Sequence, residues 1–285
     1  MKGIILAGGT GSRLWPITHS TCKQLLPVYD KPLIYYPIST LMLAGIKEIL
    51  IITTPSDLDQ FKNLLGDGSN FGVRFSFATQ AKPAGLAEAF IIGKQFLESS
   101  ACALILGDNI FHGTQLGAEL NKVFLNSGAH IFVTEVSNPS QYGILTLNSS
   151  GQPTTIVEKP KNPTSNLAVT GLYFFDEIVS AVAAKVKPSE RGELEITSVI
   201  EHYLKNETLS FTKLSRGSVW LDTGNPNSLH DAATYIRVLE ERSGLKIACL
   251  EEIAFARSWI DKSSLDKSVM KYKGTSYGEY LSKLH

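Results

Sequence analysis

The sequence lacks a charge imbalance and lacks any long apolar run. Lys and Arg together number 27, as do Asp and Glu, so no global field would draw the chain to nucleic acid or to an anionic membrane. The amino-terminal MKGIILAGG has only a few apolar residues before glycines intervene, which is too short for a signal peptide, and no segment approaches membrane-spanning length. Any phosphate binding must be local, and we expect an unexported protein.

Cysteine and histidine are also too scattered for a disulfide or zinc framework. The three cysteines, Cys22, Cys102 and Cys249, are odd in number and far apart, which fits neither a set of disulfides nor a zinc site with paired ligands. The histidines have no ligand spacing. The cysteine usage favours a reducing cytoplasm, and zinc chemistry has little support.

What the sequence does have is a regular alternation of strand and helix patterns. With 285 residues, 43% of them hydrophobic, the chain can bury a substantial core. Over residues 2–107, short apolar runs alternate with segments of helical spacing. The predicted strands are 3–7, 48–53, 73–79 and 101–106, and the predicted helices are 33–45, 58–65 and 86–91. This order predicts an α/β fold with a mostly parallel sheet and helices on both faces.

After residue 108 the pattern loosens. Strand candidates at 131–136, 143–147, 154–158 and 168–175 mix with helices near 115–126, 176–185 and 193–205. Helical spacing dominates from 227 to the end, apart from a break near Ser243 and Gly244. We expect a single domain over 1–285 with three parts, 1–107, 108–226 and 227–285, in which the second extends the sheet and adds substrate-binding residues.

Polar and glycine-rich residues follow several of the apolar runs. The first run leads into GGTGSR (8–13), the third into Gln80 and the fourth into Gly107-Asp108-Asn109. Ligands of open parallel sheets bind beyond the carboxyl ends of the strands. Residues distant in sequence should therefore gather on one rim, which is the expected binding site.

The segment 8–13 is the first candidate for phosphate binding. Its three glycines would let backbone N–H groups approach a phosphate chain, although a tight strand-to-helix turn has the same sequence. It matches neither the Walker pattern nor the dinucleotide fingerprint. Arg13 and Lys23 would stabilise a pentacovalent phosphorus and a departing pyrophosphate, unless they are solvated surface charges.

Two aspartates are candidates for a magnesium site. Asp108 ends the apolar run ACALILG, and Asp222 lies in WLDTG (220–224). A carboxylate at the tip of a buried strand is costly unless it is solvated, paired or bound to a cation, and two of them with phosphate oxygens commonly hold Mg²⁺. The alternative is that Asp108 caps a helix and Asp222 caps a turn.

A sugar phosphate would need cations of its own. Lys159 follows Glu158 at the close of a strand candidate, and Arg191 opens a helix candidate in RGELE (191–195). Each lies at the end of an element rather than in mid-helix, and surface charge is the alternative for both. No Ser-His-Asp or Cys-His arrangement invites a covalent mechanism.

Taken together, these segments resemble the glucose-1-phosphate thymidylyltransferases of the sugar nucleotidylyltransferase superfamily. The matching segments are GIILAGG (3–9) through Arg13, KQLLPV (23–28), GDN (107–109), VEKP (157–160), GELEIT (192–197) and WLDTG (220–224). The resemblance implies a three-layer, Rossmann-like nucleotide-diphospho-sugar transferase fold. It also implies a cytoplasmic homotetramer, in which glucose 1-phosphate attacks the α-phosphorus of dTTP to give dTDP-glucose, the first step toward dTDP-rhamnose and the polysaccharides that carry it.

The resemblance also assigns roles to individual residues. The triphosphate would be held by Gly8, Gly11, Ser12, Arg13 and Lys23, and the thymine base by Gln24, Gln80, Gly85 and Leu86. The sugar pocket would be lined by Asn109, Gly143, Glu158, Val169 and Trp220, and the sugar phosphate would be held by Lys159 and Arg191. Mg²⁺ would be ligated by Asp108 and Asp222, and the catalytic set would be Arg13, Lys23, Asp108 and Lys159. Residues 1–107 would then bind the nucleotide, 108–226 the sugar phosphate, and 227–285 would serve oligomerisation or regulation.

Three positions depart from the family pattern. Ser12 replaces the usual threonine and keeps the hydroxyl. Ala84 stands where relatives commonly carry aspartate or a similar polar residue in the base-binding loop, which bears on discrimination between thymine and uracil. Ala256 stands where relatives usually have arginine, near the second nucleotide site at which the resemblance implies inhibition by dTDP-rhamnose. We expect Arg257 to substitute imperfectly or the inhibition to be weakened.

Two other functions remain open. One is the same chemistry with UTP, another nucleotide or another sugar 1-phosphate, because base discrimination depends on hydrogen bonds and a methyl contact that the sequence does not fix. The other is a non-catalytic sugar-nucleotide sensor, which would typically have lost a metal carboxylate or a phosphate cation. The presence of all these groups favours an active enzyme.

Overall fold

A computed structural model describes residues 1–123 and 127–284. The strands are β1 (Lys2–Leu6), β2 (Pro27–Val28), β3 (Lys31–Pro32), β4 (Glu48–Thr53), β5 (Arg74–Thr79), β6 (Cys102–Leu106), β7 (Asn109–His112), β8 (Ala129–Glu135), β9 (Gly143–Leu147), β10 (Pro153–Glu158), β11 (Leu167–Phe175), β12 (Leu209–Lys213) and β13 (Val219–Asp222). The helices are α1 (Tyr35–Leu43), α2 (Leu58–Leu65), α3 (Glu88–Ile92), α4 (Lys94–Leu97), α5 (Leu116–Asn121), α6 (Val179–Ala183), α7 (Ile196–Lys205), α8 (Pro226–Ser243), α9 (Leu250–Ala256), α10 (Lys262–Lys271) and α11 (Ser276–Leu281).

Nine of the strands form one central sheet in the order β10-β9-β11-β6-β1-β4-β5, with β8 beside β11 and β12 beside β8. The pairs β1–β4, β1–β6, β4–β5 and β8–β12 are parallel. Strand β11 runs antiparallel to β6, β8 and β9, and β10 runs antiparallel to β9. Because only β10 and β11 oppose the other seven strands of this sheet, the prediction of a mostly parallel α/β sheet is confirmed.

Helices cover both faces of this sheet. On β1, Ile5 packs on one side with α1, α2, α5 and the C-terminal helices α9, α10 and α11. Ile4 and Leu6 pack on the other side with α3, α4, α6 and α7. Successive side chains of a strand point to opposite faces, so a strand covered on both sides has to be apolar throughout. That requirement explains the continuous apolar run of β1 and confirms the three-layer arrangement.

The predicted elements of residues 2–107 are all present, with shifts of one residue at half of the strand ends. The predicted helix at 86–91 is observed as α3, and a second short helix that was not predicted, α4, follows it after Gly93. A Cβ on Gly93 would lie 2.9 Å from the Ala89 carbonyl oxygen and from Cδ1 of Ile4. The close packing of this turn on the sheet therefore requires glycine.

In the second half the sequence pattern missed β7, β12 and β13. β7 and β13 pair with each other outside the central sheet, with Asn109 opposite Asp222. The predicted helix near 115–126 is observed as α5, and its positions 124–126 lie outside the described residues. The described part of the chain contains no helix with the length and apolar character needed to cross a bilayer.

Helix α8 begins next to the expected rim and ends on the β2–β3 hairpin. Asn225 caps its first turn by accepting from the Ser228 N–H at 3.0 Å, and Gly244 ends it in a left-handed conformation. Near that end lies a cluster of four charged side chains, Asp30, Lys31, Glu240 and Lys246, which we call the charge cluster. Glu240 accepts from Lys31 at 2.9 Å and from Lys246 at 2.8 Å, and both lysines also contact Asp30.

Candidate active site

The glycine-rich segment 8–13 forms a tight loop directly after β1. Gly9 and Gly11 have φ values of 119° and 59°, which residues other than glycine rarely adopt. The Gly11 carbonyl accepts from the Thr18 hydroxyl at 2.7 Å, which holds the loop folded back on the following segment. The Arg13 side chain extends from this loop to Gly224, and a Cβ added to Gly224 would lie 3.2 Å from its Nη1.

Lys23, Asp108 and Asp222 form the charged centre of the rim. Lys23 is buried, and its Nζ lies 2.6 Å from Oδ2 of Asp108. The Thr223 hydroxyl donates to the Asp108 carbonyl at 2.8 Å, which ties the segment carrying Asp222 to the end of β6. The structure therefore brings together three residues that the sequence separates widely, as the topology of a parallel sheet predicts.

Burial and a neighbouring negative charge act together on Asp222. Desolvation raises the pKa of its carboxyl above the ordinary range, the Asp108 carboxylate raises it further, and Lys23 and Arg13 partly offset both effects. A pair of carboxylates in this position favours a cation. In the described ranges no three His, Cys, Asp or Glu side chains are grouped to hold a metal ion, so the protein offers two carboxylates rather than a complete cage.

Cys22 lies beside Lys23 but is not a nucleophile. Burial raises the pKa of its thiol to about 12, and its S–H donates to Oε1 of Gln24. A thiolate is the reactive form of cysteine, so this side chain stays protonated and inert near neutral pH. Its role is to help fix the Gln24 amide.

The other end of the rim carries two cations among carboxylates. Arg191 donates to Oε1 of Glu195 at 2.7 Å and lies 3.7 Å from Glu158, and Lys159 lies 3.6 Å from Glu158. Burial raises the pKa of Glu158, while Lys159 and Arg191 act in the opposite direction. Both cations are about half exposed, with 48% and 42% of their side chains accessible. Both cations are therefore accessible to an incoming phosphate.

An aromatic wall lies between these two charged regions. The Trp220 indole donates to Oδ1 of Asn109 at 2.6 Å, and the Asn109 amide donates to Oδ1 of Asp108 at 2.8 Å. Tyr142 packs edge-on against Trp220 with ring centroids 5.1 Å apart. The chain of hydrogen bonds holds Trp220 at a fixed angle over the centre of the rim.

The loop after β5, residues 81–87, is fastened to the loop that carries Arg191. The Leu194 N–H donates to the Ala84 carbonyl at 2.7 Å, and the Ala87 N–H donates to the Leu194 carbonyl at 3.0 Å. Gly85 fits between them, since a Cβ there would lie 2.4 Å from backbone atoms of Leu194. The two loops therefore form one backbone-bonded unit at the rim.

A single cleft of about 740 Å³ runs along this rim. Most of the predicted site residues line it, namely Gly8, Arg13, Gln24, Leu86, Asp108, Asn109, Gly143, Glu158, Lys159, Val169, Arg191, Trp220 and Asp222. The remaining five lie behind or beside the lining. Gly11 and Ser12 belong to the glycine loop, Lys23 contacts Asp108, Gln80 abuts Gly8, and Gly85 precedes Leu86.

Sequence reasoning missed several residues that the structure places at or beside this cleft, including four polar ones. Tyr142, Glu195 and Thr197 line it, and Glu88 contacts Gln80 behind it. Glu195 and Thr197 lie in the GELEIT segment, which directly follows Arg191 in the sequence. That proximity could have indicated that they belong to the site. Tyr142 and Glu88 have no such signal, because their positions depend on how loops fold back over the sheet.

Comparison with known proteins places this arrangement in a family. The model of the nucleotidyl transferase family matches residues 2–238. The chain belongs to the nucleotidyl transferase family. This nucleotidyl transferase is also similar over its whole length to curated relatives, which confirms the resemblance drawn from its motifs and the prediction that it is a nucleotidyltransferase enzyme.

Two of these relatives are named glucose-1-phosphate thymidylyltransferase. The protein from Neisseria meningitidis serogroup A is 49% identical over 285 residues, covering 100% of this chain and 99% of the relative. The protein from Mycobacterium tuberculosis is 50% identical over 284 residues with the same coverage. A crystal structure of a Bacillus anthracis protein assigned to the glucose-1-phosphate thymidylyltransferases, in complex with sucrose, superposes with a TM-score of 0.77 at 39% identity, covering 83% of this chain and 95% of that chain.

Proposed function

We propose that this nucleotidyl transferase transfers the thymidylyl group of dTTP to α-D-glucose 1-phosphate, releasing pyrophosphate and forming dTDP-glucose. One observation carries the proposal: a single cleft holds a glycine loop with Arg13, the Lys23–Asp108 pair and a separate pair of cations, Lys159 and Arg191. These are two anion-binding regions, as a reaction that joins a nucleoside triphosphate to a sugar phosphate requires. The names of the full-length relatives supply the choice of nucleotide and sugar.

In the proposed reaction, a phosphate oxygen of glucose 1-phosphate forms a bond to the α-phosphorus of dTTP, and the bond from that phosphorus to pyrophosphate breaks. Arg13 and Lys23 stabilise the charge that develops on the triphosphate. Lys159 and Arg191 hold the sugar phosphate in position for in-line attack, and such positioning supplies much of the rate. No covalent enzyme intermediate is needed.

The carboxylate pair fits a magnesium ion. Asp108 and Asp222 would hold it, because Mg²⁺ in nucleotide sites is usually bound by one or two carboxylates together with phosphate oxygens and water. When bound, the ion would neutralise phosphate charge next to the α-phosphorus. Lys23 keeps the Asp108 carboxylate in place at 2.6 Å, and Arg13 lies on the Asp222 side near Gly224.

We further propose that the C-terminal part has a regulatory role, in a cytoplasmic homotetramer that dTDP-rhamnose inhibits. A second, open cavity of about 990 Å³ is lined by Glu252, Phe255, Ala256 and Trp259 among others. The Arg257 guanidinium donates to the Leu43 carbonyl at 2.6 Å and lies over Trp259, which supports the expectation that Arg257 substitutes imperfectly for an arginine at 256. We therefore propose that inhibition is weaker here than in relatives with arginine at this position.

The deciding experiment measures pyrophosphate release by purified protein with Mg²⁺ and glucose 1-phosphate, in parallel with dTTP and UTP. We expect rapid release with dTTP that depends on the sugar phosphate and disappears when EDTA is added. Absence of release with either nucleotide would overturn the proposal, and faster release with UTP would reassign the nucleotide.

Titration with dTDP-rhamnose, in the wild type and in Ala256→Arg, tests the proposed regulation. Equal inhibition of the two proteins would contradict it.

A further inference from the structure

The side-chain amide of Gln80 is held from one side by two hydrogen-bond acceptors. Gln80 follows β5 and is buried, with 6% of its surface exposed. Its Nε2 lies 2.5 Å from Oε2 of Glu88 and 3.4 Å from the carbonyl oxygen of Gly85. Both partners therefore contact the same nitrogen of the amide.

The chemistry of these partners decides which way the amide faces. A carboxylate and a backbone carbonyl can only accept hydrogen bonds, so the group of Gln80 that faces them has to be its NH₂. Its Oε1 then faces the other way, towards the glycine loop, where a Cβ on Gly8 would lie 3.2 Å from it. Gly8 lines the cleft, so the acceptor atom of Gln80 is turned to the cleft side.

Backbone hydrogen bonds keep both acceptors in place. The Ala84 carbonyl, just before Gly85, accepts from the Leu194 N–H at 2.7 Å, and Gly85 itself has a φ of 106° that other residues rarely adopt. Glu88 is the first residue of α3, and the neighbouring Ala87 donates to the Leu194 carbonyl at 3.0 Å. Rotation of the Gln80 amide by 180° would set its oxygen against two other oxygens.

We propose that Glu88 is a positioning residue that sets base specificity, by keeping the Gln80 amide turned so that it offers an acceptor to the nucleotide base. An acceptor matches the ring N–H that thymine and uracil share. It opposes cytosine, whose corresponding ring nitrogen carries no hydrogen and is itself an acceptor. The inference rests on the proposed function. It identifies the residues of the site that discriminate thymine and uracil from cytosine.

The first test compares dTTP, dUTP and dCTP as substrates of the wild type and of Glu88→Gln and Glu88→Leu. Glutamine has an NH₂ of its own that can pair with the oxygen of a turned Gln80, and leucine leaves only the Gly85 carbonyl to hold the amide. In both variants we expect the ratio of kcat/KM for dTTP over dCTP to fall about tenfold or more, since a mispaired hydrogen-bonding group in a binding site is strongly selective. The ratio of dTTP over dUTP should stay constant, because the two bases have the same hydrogen-bonding edge.

A matched control separates this role from a general effect on the helix. Glu88 is an acidic residue in the first turn of α3, as Asp59 is in the first turn of α2, and carboxylates there stabilise helices. Asp59→Asn should leave both ratios unchanged. An equal loss with all three nucleotides in the Glu88 variants, or an unchanged dTTP to dCTP ratio, would overturn the proposal.

The wild type offers a measurement that needs no variant. Its kcat/KM should be at least about tenfold lower with dCTP than with dUTP, since only uracil presents the ring N–H. Similar values for the two nucleotides would overturn the inference while leaving the proposed function intact. Absence of turnover with dTTP in the wild type would instead contradict the proposed function itself.

Discussion

At the scale of single residues, Asp108 connects several charged and polar groups at the centre of the cleft. It accepts from Lys23 and from the Asn109 amide, and its carboxylate raises the pKa of Asp222. Asp108→Asn keeps the size of the side chain and removes its charge. We expect turnover to fall on the order of a hundredfold or more, as for the loss of one electrostatic stabiliser, in a steady-state assay with saturating Mg²⁺. Unchanged turnover would refute the metal assignment.

Lys159 should act on the sugar phosphate alone. It lies at the far end of the cleft from Lys23, next to Glu158, and about half of its side chain is exposed. Lys159→Ala should raise the KM for glucose 1-phosphate about tenfold, since a single charged contact to a ground-state phosphate is lost, and should leave the KM for dTTP unchanged. Lys161→Ala, an exposed lysine of the same loop, is the control. An effect confined to dTTP would reassign Lys159.

Glu251 should make stability depend on pH. The residue is 1% exposed, its carboxylate accepts from the Tyr277 hydroxyl at 2.6 Å, and burial raises the pKa of the carboxyl. Above the ordinary carboxyl pKa the unfolded chain has lost this proton while the folded protein still binds it. The free energy of unfolding should therefore fall as pH rises from the ordinary carboxyl pKa to the raised pKa of Glu251.

Urea unfolding over a pH series checks this dependence. Glu251→Gln removes the ionisable group, so the variant should gain stability relative to the wild type as pH increases. The exposed Glu279 is the matched control, and Glu279→Gln should leave the pH profile unchanged. A constant difference between Glu251→Gln and the wild type at all pH values would contradict the assignment.

At the scale of elements, the charge cluster ties α8 to the β2–β3 hairpin. Lys31 and Glu240 have only 2% and 3% of their side chains exposed. Without Lys31, Glu240 keeps only Lys246 as a charged partner, and one lysine has to compensate two acids. Lys31→Met should therefore cost about 1.5–3 kcal/mol of unfolding free energy, the range for a lost hydrogen bond to a charged group. Adding Glu240→Leu should restore part of the loss, which a double-mutant cycle with Lys246 retained would measure. Additive effects of the two substitutions would show that the pair is not coupled.

The sequence predicts the parallel core better than the elements at the rim. Strands such as β4 and β6 are covered on both faces, so their apolar runs are visible without any knowledge of their neighbours. β7 and β13 pair only with each other and carry mixed polarity, with Asn109 and Asp222 at their paired ends. Each of these strands has only four residues, which is too short a pattern to be recognised from spacing alone.

The same distinction applies to the site. Residues that directly follow core strands, such as Asp108 and Gln80, could be placed at the rim from topology. Their partners in other loops could not, because the contact between Gln80 and Glu88 depends on the path of residues 81–87 over the sheet. The family resemblance supplied Trp220 and Glu158, whose positions in the cleft no periodicity predicts.

At the scale of the whole molecule, the C-terminal helices complete one face of the core. Leu250 and Ala254 of α9 pack in the same cluster as Ile38 and Leu41 of α1, and all four are fully buried. A chain ending at Gly244 would expose these α1 side chains, at a cost of roughly 1.5–3 kcal/mol for each large one. We expect the truncated chain to aggregate, as measured by size-exclusion chromatography, or to have a melting temperature well below that of the full-length protein. A soluble truncated chain with an unchanged melting temperature would contradict this.

The backbone bonds that join residues 81–87 to Leu194 have a consequence for protein engineering. Because Gly85 fits against Leu194 with no room for a Cβ, neither loop can change its length or backbone path independently of the other. A chimera that imports the first loop from a relative of different nucleotide preference has to import the second one with it. Segments 81–87 and 189–195 thus behave as one exchangeable cassette, although about a hundred residues of chain separate them.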